Sequence, residues 1–357
     1  MGVPYVILRR ERERRMEINR RIFRDRQNPL DYMEDTVLLK KYRMSREVIF
    51  LLCNRLEGRL KRPTKRSQSL PVSLQISVAL RYFATGSFQS VNGDVHGISR
   101  YSVSRAIHSV SSAMCEIMLA EEIVFPMVVI QQRKIKEKFY QIARFPNVLG
   151  TVDGTLVPVI APTQDEHLYF SHKGYHALNI QGVIGPDLEF LNIVARWPGA
   201  THDSLVWRNC SLSNMFQEED ITGGWLLGDS GYPLKKWLMT PVLNPNTRPQ
   251  HAYNRAHRKS RCVCERCFGV WKARWRCLHK SGGCLMFKPE RCIKVIVATA
   301  ILHNICIKNS IPLYEDLLDN AIQEEEEEYE EHEDEDGELA GDAIAFRNQI
   351  IQHHFSL

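Results

Sequence analysis

No apolar stretch in this 357-residue chain approaches the roughly 20 residues that span a bilayer, so no membrane helix is expected. The start, Met1-Gly2-Val3-Pro4-Tyr5-Val6, is briefly apolar but turns Arg-rich from Arg9, unlike a secretory leader. Val6 stands where a myristoylation signal needs Ser or Thr. Also missing is any pair of Cys-x-x-Cys knuckles. Ten cysteines are scattered over the chain instead of being crowded into a small scaffold, a pattern that favours reduced thiols in the cytosol or nucleus. Cys262, Cys264, Cys267 and Cys277 have partly metal-like spacing, but on one helix they point in different directions. Core-filling thiols are the simpler reading.

What is abundant is charge, unevenly distributed. The net charge is +5, yet from Ser310 onward sixteen acids face a single Arg, leaving residues 1–309 at +20. A body that basic attracts polyanions, nucleic acid first among them. Residues 1–28 hold nine arginines, Arg9 to Arg26, interleaved with a few acids. A solvated helix with i,i+4 ion pairs accounts for them as well as a nucleic-acid arm or nuclear import signal does. Residues 310–342 run to Glu and Asp, repel themselves and should be disordered, with Ala343–Phe355 able to form a short helix.

Between these ends the pattern changes once. A helix is expected from Met44 to about Leu60, then a basic loop, Lys61 to Arg66. A second helix, capped by Ser69 or Ser73, should end at Gly86. A short element from Phe88 to Val95 ends at Gly97, and a third helix starts at Ser99 or Ser102 and runs to Ile117. This is the layout of a helix-turn-helix, whose recognition helix would offer Arg100, Tyr101, Ser102, Ser104, Arg105 and His108 to base edges. A plain three-helix packing unit fits the pattern equally well, and the basic body favours duplex DNA. From residue 147 strands take over: Val148–Val152, with a continuation at Leu156–Ile160, then Tyr175–Ile184, Leu188–Trp197, Trp225–Gly228 and Met239–Leu243. Two helices, roughly 253–280 and 289–308, close an α/β layer architecture.

Two acids end apolar strands in this reading. Asp153 closes Val148-Leu149-Gly150-Thr151-Val152, and Asp229 closes Trp225-Leu226-Leu227-Gly228. An acid at the end of a buried strand is costly unless something cationic meets it. Asp203, after the third strand, is either a helix cap or a metal ligand. Thirty-five residues separate Asp229 from Glu265, which lies on a helix whose seam is Cys264, Phe268, Trp271, Trp275 and Leu278. Asn254, His257, Arg261 and Glu265 form a polar stripe beside that seam, suited either to gripping phosphate and metal or to exposed ion pairing. Acids from distant parts of one chain suggest a cage for hard divalent metal, Mg or Mn.

These motifs resemble the harbinger transposase-derived nucleases, relatives of the PIF/Harbinger DNA transposases. The matching pieces are Val152-Asp153-Gly154-Thr155, Pro198 to Ser204, Leu227 to Tyr232, Tyr253-Asn254…His257…Arg261…Glu265, and Ala300-Ile301-Leu302-His303-Asn304. The resemblance covers roughly residues 45–309. It implies an RNase H-like nuclease domain with Asp153, Asp229 and Glu265 as a DDE acid set and Asp203 as a fourth acidic ligand. It also implies a Myb/SANT-like protein partner that assists DNA recognition and nuclear entry.

The fold expected is therefore α/β, an RNase H-like mixed sheet with flanking helices, preceded by an all-α helix-turn-helix domain. The divisions are an Arg-rich extension (1–43), the helical domain (44–145), the nuclease domain (146–309) and the acidic tail (310–357). The function expected is a Mg- or Mn-dependent DNA endonuclease. It would use two metal ions, with His257 and Arg261 positioning phosphate. It would act on double-stranded DNA in nucleus and cytoplasm, as a monomer or homo-oligomer. The rival is a non-catalytic DNA- or chromatin-binding adaptor. An enzyme acting on RNA fits the helix-turn-helix less well.

Overall fold

The computed structural model describes residues 28–61, 70–313 and 341–356. The Arg-rich segment 1–27, residues 62–69 of the basic loop and the acidic run 314–340 lie outside the described residues. The readings given above for the arm and the acidic run fall there, whereas the short helix expected over Ala343–Phe355 is found, as Gly341–Phe355.

The first part of the chain is helical: α1 (Pro29–Tyr32), α2 (Asp35–Tyr42), α3 (Arg46–Leu60), α4 (Val72–Thr85), α5 (Gln89–His96), α6 (Arg100–Ile117), α7 (Leu119–Glu122) and α8 (Val129–Ala143). Local chemistry sets these boundaries. Ser45 caps α3 by accepting the Val48 N–H, and Ser99 caps α6 by accepting that of Ser102. Gly97 takes the left-handed conformation, φ 62°, that lets α5 stop and the chain turn into α6. The cap expected for α4 is different. Pro71 occupies that position with no side-chain bond to the helix, and Ser73 falls inside the first turn.

Five strands follow, β1 (Val148–Pro158), β2 (Ala177–Ile184), β3 (Phe190–Pro198), β4 (Trp225–Leu227) and β5 (Leu238–Met239), in spatial order β3-β2-β1-β4-β5. β1, β2 and β3 form an antiparallel meander, whereas β4 and β5 run parallel to β1. Asp153 does not end its strand as its sequence suggested. The ladder to β2 continues through Gly154↔Gln181 to Pro158↔Ala177, because backbone pairing does not need the apolar side chains that stop at Val152. β3 starts at Phe190 and not Leu188, since Leu188 sits at φ 67° in the preceding turn.

Helices α9 (Glu166–Tyr169), α10 (Asp203–Arg208) and α11 (Ser211–Gln217) interrupt the strands. Then come the two long helices α12 (Arg248–Arg274) and α13 (Pro289–Lys308), and last α14 (Gly341–Phe355). α12 begins five residues earlier than its apolar seam suggested, because Thr247 and Gln250 form a reciprocal capping box. It ends at Arg274, where Trp275 leaves helical geometry at ψ 74°.

The sheet is covered on both faces. Val152, Val183 and Leu226 pack with Trp207, Phe216 and Tyr232 on the α10–α11 side. Phe190 packs on Phe268 and Trp271 of α12 on the other. Asn304 of α13 ties the layers together: its Oδ1 accepts the Phe190 N–H at 2.8 Å, and its Nδ2 donates to the Phe190 and Glu122 carbonyls. One continuous apolar core runs from Leu38 and Phe83 of the helical part to Phe268 and Ile301 of the sheet part. α14 docks on that body. Phe346 meets Trp225, Phe355 meets Phe145 and Tyr253, and Arg347 donates to the Pro241 carbonyl at 2.9 Å. No described helix is long and apolar enough to cross a membrane.

Candidate active site

Three elements deliver three aspartates to one place. Asp153 lies mid-β1 with its side chain buried. Asp229 follows β4 by two residues, and the parallel pairing of Thr151 with Leu227 brings it alongside Asp153. Its carboxylate accepts the Gly231 N–H at 3.1 Å, which fixes the turn. Asp203 opens α10 after β3. Asn179 of β2 donates at 2.8 Å both to the Asp203 carboxylate and to the Thr201 carbonyl, pinning the entry to that helix. Ligand oxygens of Asp153, Asp203 and Asp229 all lie within 4.8 Å of one another.

Such a gathering of carboxylates needs compensation. Arg261 of α12 supplies part of it, donating through one terminal nitrogen to Asp153 at 2.5 Å and through the other to Glu265 at 2.8 Å. Glu265 is thus joined to the aspartates through Arg261 and stands outside the three-carboxylate set. Beneath the cluster Tyr232 is buried, its hydroxyl donating to Gln181 at 3.4 Å. Burial first, and then the charges of Asp203, Asp153 and Asp229, push the Tyr232 pKa well above its ordinary value, so this hydroxyl stays a donor at all working pH.

The other expected contacts divide. Arg100 and Arg105 are exposed on α6, and Ser102 is partly exposed. Ser104 is taken up by Arg291, which donates to its carbonyl at 3.0 Å and its hydroxyl at 3.3 Å. His257 is not available to a scissile phosphate. It is 2% exposed, and its Nε2 hydrogen-bonds the Met239 carbonyl at 3.1 Å. Burial holds its pKa down at about 4, leaving a neutral core imidazole. Asn254 likewise spends its side chain on the Val242 backbone. The polar stripe of α12 is therefore structural at Asn254 and His257, and only Arg261 and Glu265 reach the site. Cys264, Cys267 and Cys277 are buried thiols and Cys262 is partly buried, none of them in a disulfide.

Sequence reasoning missed Asn179, Gln181 and Tyr232. The signal for the first two was present: polar residues two apart in an otherwise apolar strand share one face.

The donor set fits a hard cation. All three ligands are carboxylate oxygens, the kind Mg and Mn prefer, and the three aspartates are the one His, Cys, Asp or Glu grouping among the described residues that could hold a metal. Residues 152–304 match the family described as DDE superfamily endonuclease. The chain is 35% identical to the proteins named "Putative nuclease HARBI1" of Mus musculus and Homo sapiens, over 92% of its own length and 93% of theirs. It is 26% identical to "Protein ALP1-like" of Arabidopsis thaliana, covering 74% of this chain and 69% of that one. No solved structure matches the chain.

Proposed function

The chain belongs to the harbinger transposase-derived nuclease family, with a DDE superfamily endonuclease domain, and we propose that it is a divalent-metal-dependent DNA endonuclease. One observation carries the reading: the aspartates in β1, just after β4 and at the start of α10 converge with ligand oxygens within 4.8 Å. The sheet order β3-β2-β1-β4-β5, antiparallel then parallel, supports an RNase H-like domain.

In this proposal Asp153, Asp203 and Asp229 hold the metal, and Glu265 completes the acid set from α12. Bound there, Mg or Mn would polarise the phosphodiester, lower the pKa of the attacking water and stabilise the departing 3′ oxygen, in a pair under the two-metal scheme. Asn179 orients Asp203. Arg261, placed between Asp153 and Glu265, can donate to a phosphate oxygen as well as to the acids. Helices α4, α5 and α6 would meet duplex DNA as a helix-turn-helix through Arg100, with Ser102 and Arg105 on its backbone phosphates and Ser104 held by Arg291. A Myb/SANT-like partner and residence in nucleus and cytoplasm belong to the same proposal.

The rival reading, a non-catalytic chromatin adaptor, draws on one feature. Arg261 compensates Asp153 and Glu265 from within the chain, so these two acids have a counter-charge without any ion. A further Arabidopsis thaliana relative, 26% identical, bears the name "Antagonist of like heterochromatin protein 1". Plasmid nicking separates the two. With millimolar Mg²⁺ or Mn²⁺ the wild type should convert supercoiled plasmid to open circle, and Asp153→Ala or Asp229→Asn should not. Equal nicking by wild type and both variants, or none by wild type with its partner present, refutes the nuclease.

A further inference from the structure

Away from the aspartates, the helical part of the chain forms a cavity of about 420 Å³. Its walls are the C-terminal end of α3, the start of α4, one face of α6 and Lys294 of α13. α6 contributes a stripe, Ser102, Arg105, Ser109, Ser112 and Glu116, at alternating spacings of three and four, flanked by Ala106 and His108. Four cations line the cavity, Arg59, Lys61, Arg105 and Lys294, against one carboxylate, Glu116.

Internal pairing uses only part of that charge. Arg59 donates to Glu116 at 2.8 Å, and Lys61 to Glu57 at 2.9 Å. Lys294 instead donates to the Ser112 hydroxyl at 3.1 Å, and Arg105 lies over the Tyr101 ring at 5.4 Å. Neither has a carboxylate partner within salt-bridge distance among the described residues. His108 stands on the same wall with a buried Nδ1 that has no hydrogen-bond partner. Burial, then Arg291 and Lys294, press its pKa below the ordinary imidazole value. Like charges gathered on a concave wall repel one another, and apolar packing does not call for them. A bound anion would relieve that repulsion.

We propose that this basin is a second site, separate from the aspartates, that binds closely spaced phosphate groups. Guanidinium and ammonium donors beside serine hydroxyls are phosphate chemistry. The volume admits a short run of phosphates, and a concave wall cannot enter a groove to read base edges. The site therefore takes either the backbone of a nucleic-acid strand or a free polyphosphate. Ser102 and Arg105, in this assignment, contact phosphate and carry no sequence preference.

The test uses the full chain in EDTA, so that the result is independent of the nuclease reading. Calorimetry with tripolyphosphate should show binding that weakens at least tenfold in Lys294→Gln and in Arg105→Gln and is unchanged in Asp153→Asn. Arg105 is exposed, so its variant should keep the wild-type melting temperature even if Lys294→Gln loosens the contact to α6. A labelled DNA duplex distinguishes the sources. Displacement of the duplex by tripolyphosphate identifies the nucleic-acid backbone as the ligand, and tripolyphosphate binding without displacement identifies a free polyphosphate. No tripolyphosphate binding, or binding indifferent to both basin substitutions, overturns the proposal.

Discussion

A methyl group on Gly154 would lie 2.6 Å from both carboxylate oxygens of Asp203. The acid occupies the space a side chain at 154 would fill. Register explains why that matters. Asp153 pairs with Gly182 and Gly154 with Gln181, so consecutive residues of β1 address opposite faces of the sheet. Arg261 and Glu265 approach Asp153 from the α12 side, whereas Asp203, Asn179 and Tyr232 belong to the α10 side. The missing side chain at Gly154 lets the two groups of acids meet, and the Asp153 carboxylate folds back to accept the Gly154 N–H at 2.9 Å.

Gly154→Ala should therefore displace Asp203 with little harm to the fold, because the strand ladder itself has room for any residue. Calorimetric titration with Mn²⁺ should show affinity reduced about tenfold, roughly 1.4 kcal/mol, with the melting temperature of the metal-free protein within a few degrees of wild type. Asn179→Ala should reduce affinity in the same direction through loss of its 2.8 Å bond to Asp203. Wild-type Mn²⁺ affinity in both variants would remove Asp203 from the ligand set.

Arg261 is the internal counter-charge, and the Asp153 carboxylate it meets is almost wholly buried. Arg261→Gln removes that counter-charge from a buried carboxylate and should cost about 3 kcal/mol in the metal-free protein. The deficit should shrink as Mg²⁺ is added, since a dication bound only to the folded state restores the missing charge and raises the melting midpoint. Thermal melts with and without 10 mM Mg²⁺ measure this; an unchanged deficit would mean that the acids do not take up the ion.

Much of the architecture was legible because apolar periodicity and end signals agree. The long α13, from Pro289 to Lys308, has Pro at its start and an unbroken apolar run, and α6 opens on Ser99 and runs to Ile117 as its pattern required. Illegible were features decided by tertiary contact. Asp153 ended an apolar run but not a strand, because ladder pairing with β2 carried on through Gly154 and Thr155. His257 lay on a polar stripe by helical arithmetic, yet Phe145 and Tyr253 enclose its ring. The three aspartates could be nominated from sequence, whereas the interposition of Arg261 between Asp153 and Glu265 depends on how α12 lies across β1. α14, separated from α13 by the acidic run, carried no sequence sign of where it would dock.

Glu189 gives a pH dependence of one sign. Burial first, with Asp187 adding to it, raises its carboxyl from 4.5 to about 7. Between those values the unfolded chain ionises while the folded protein keeps the proton, so stability falls as pH rises through that window. Glu189→Gln keeps an oxygen to accept the Asp187 N–H, bonded at 2.9 Å in the wild type. At pH 8 the variant should be more stable by about 2 kcal/mol, and at pH 4.5 it should match wild type. Chemical denaturation at the two pH values decides it, and a gain of equal size at both would assign the effect to packing.

His257 works in the opposite direction. Its folded pKa, held down to about 4 by burial, lies below the ordinary 6.5. On acidification the unfolded chain takes up the proton from about pH 6.5, and the folded protein resists until about pH 4. Stability contributed by the neutral ring is therefore fully present above pH 6.5 and is lost as pH falls toward 4, by up to about 3 kcal/mol. His303, buried and also held down to about 4, adds a second loss over the same window. Because the Glu189 effect overlaps and opposes both, the comparison is cleanest in the Glu189→Gln background. There, His257→Gln preserves a donor for the Met239 carbonyl while removing the titration. Unfolding free energy measured from pH 7 to pH 4.5 should fall less steeply in the double variant than in Glu189→Gln alone. Parallel slopes would show that His257 takes up its proton over the same pH range folded and unfolded, and the imidazole held neutral by burial assigned to it here would be wrong.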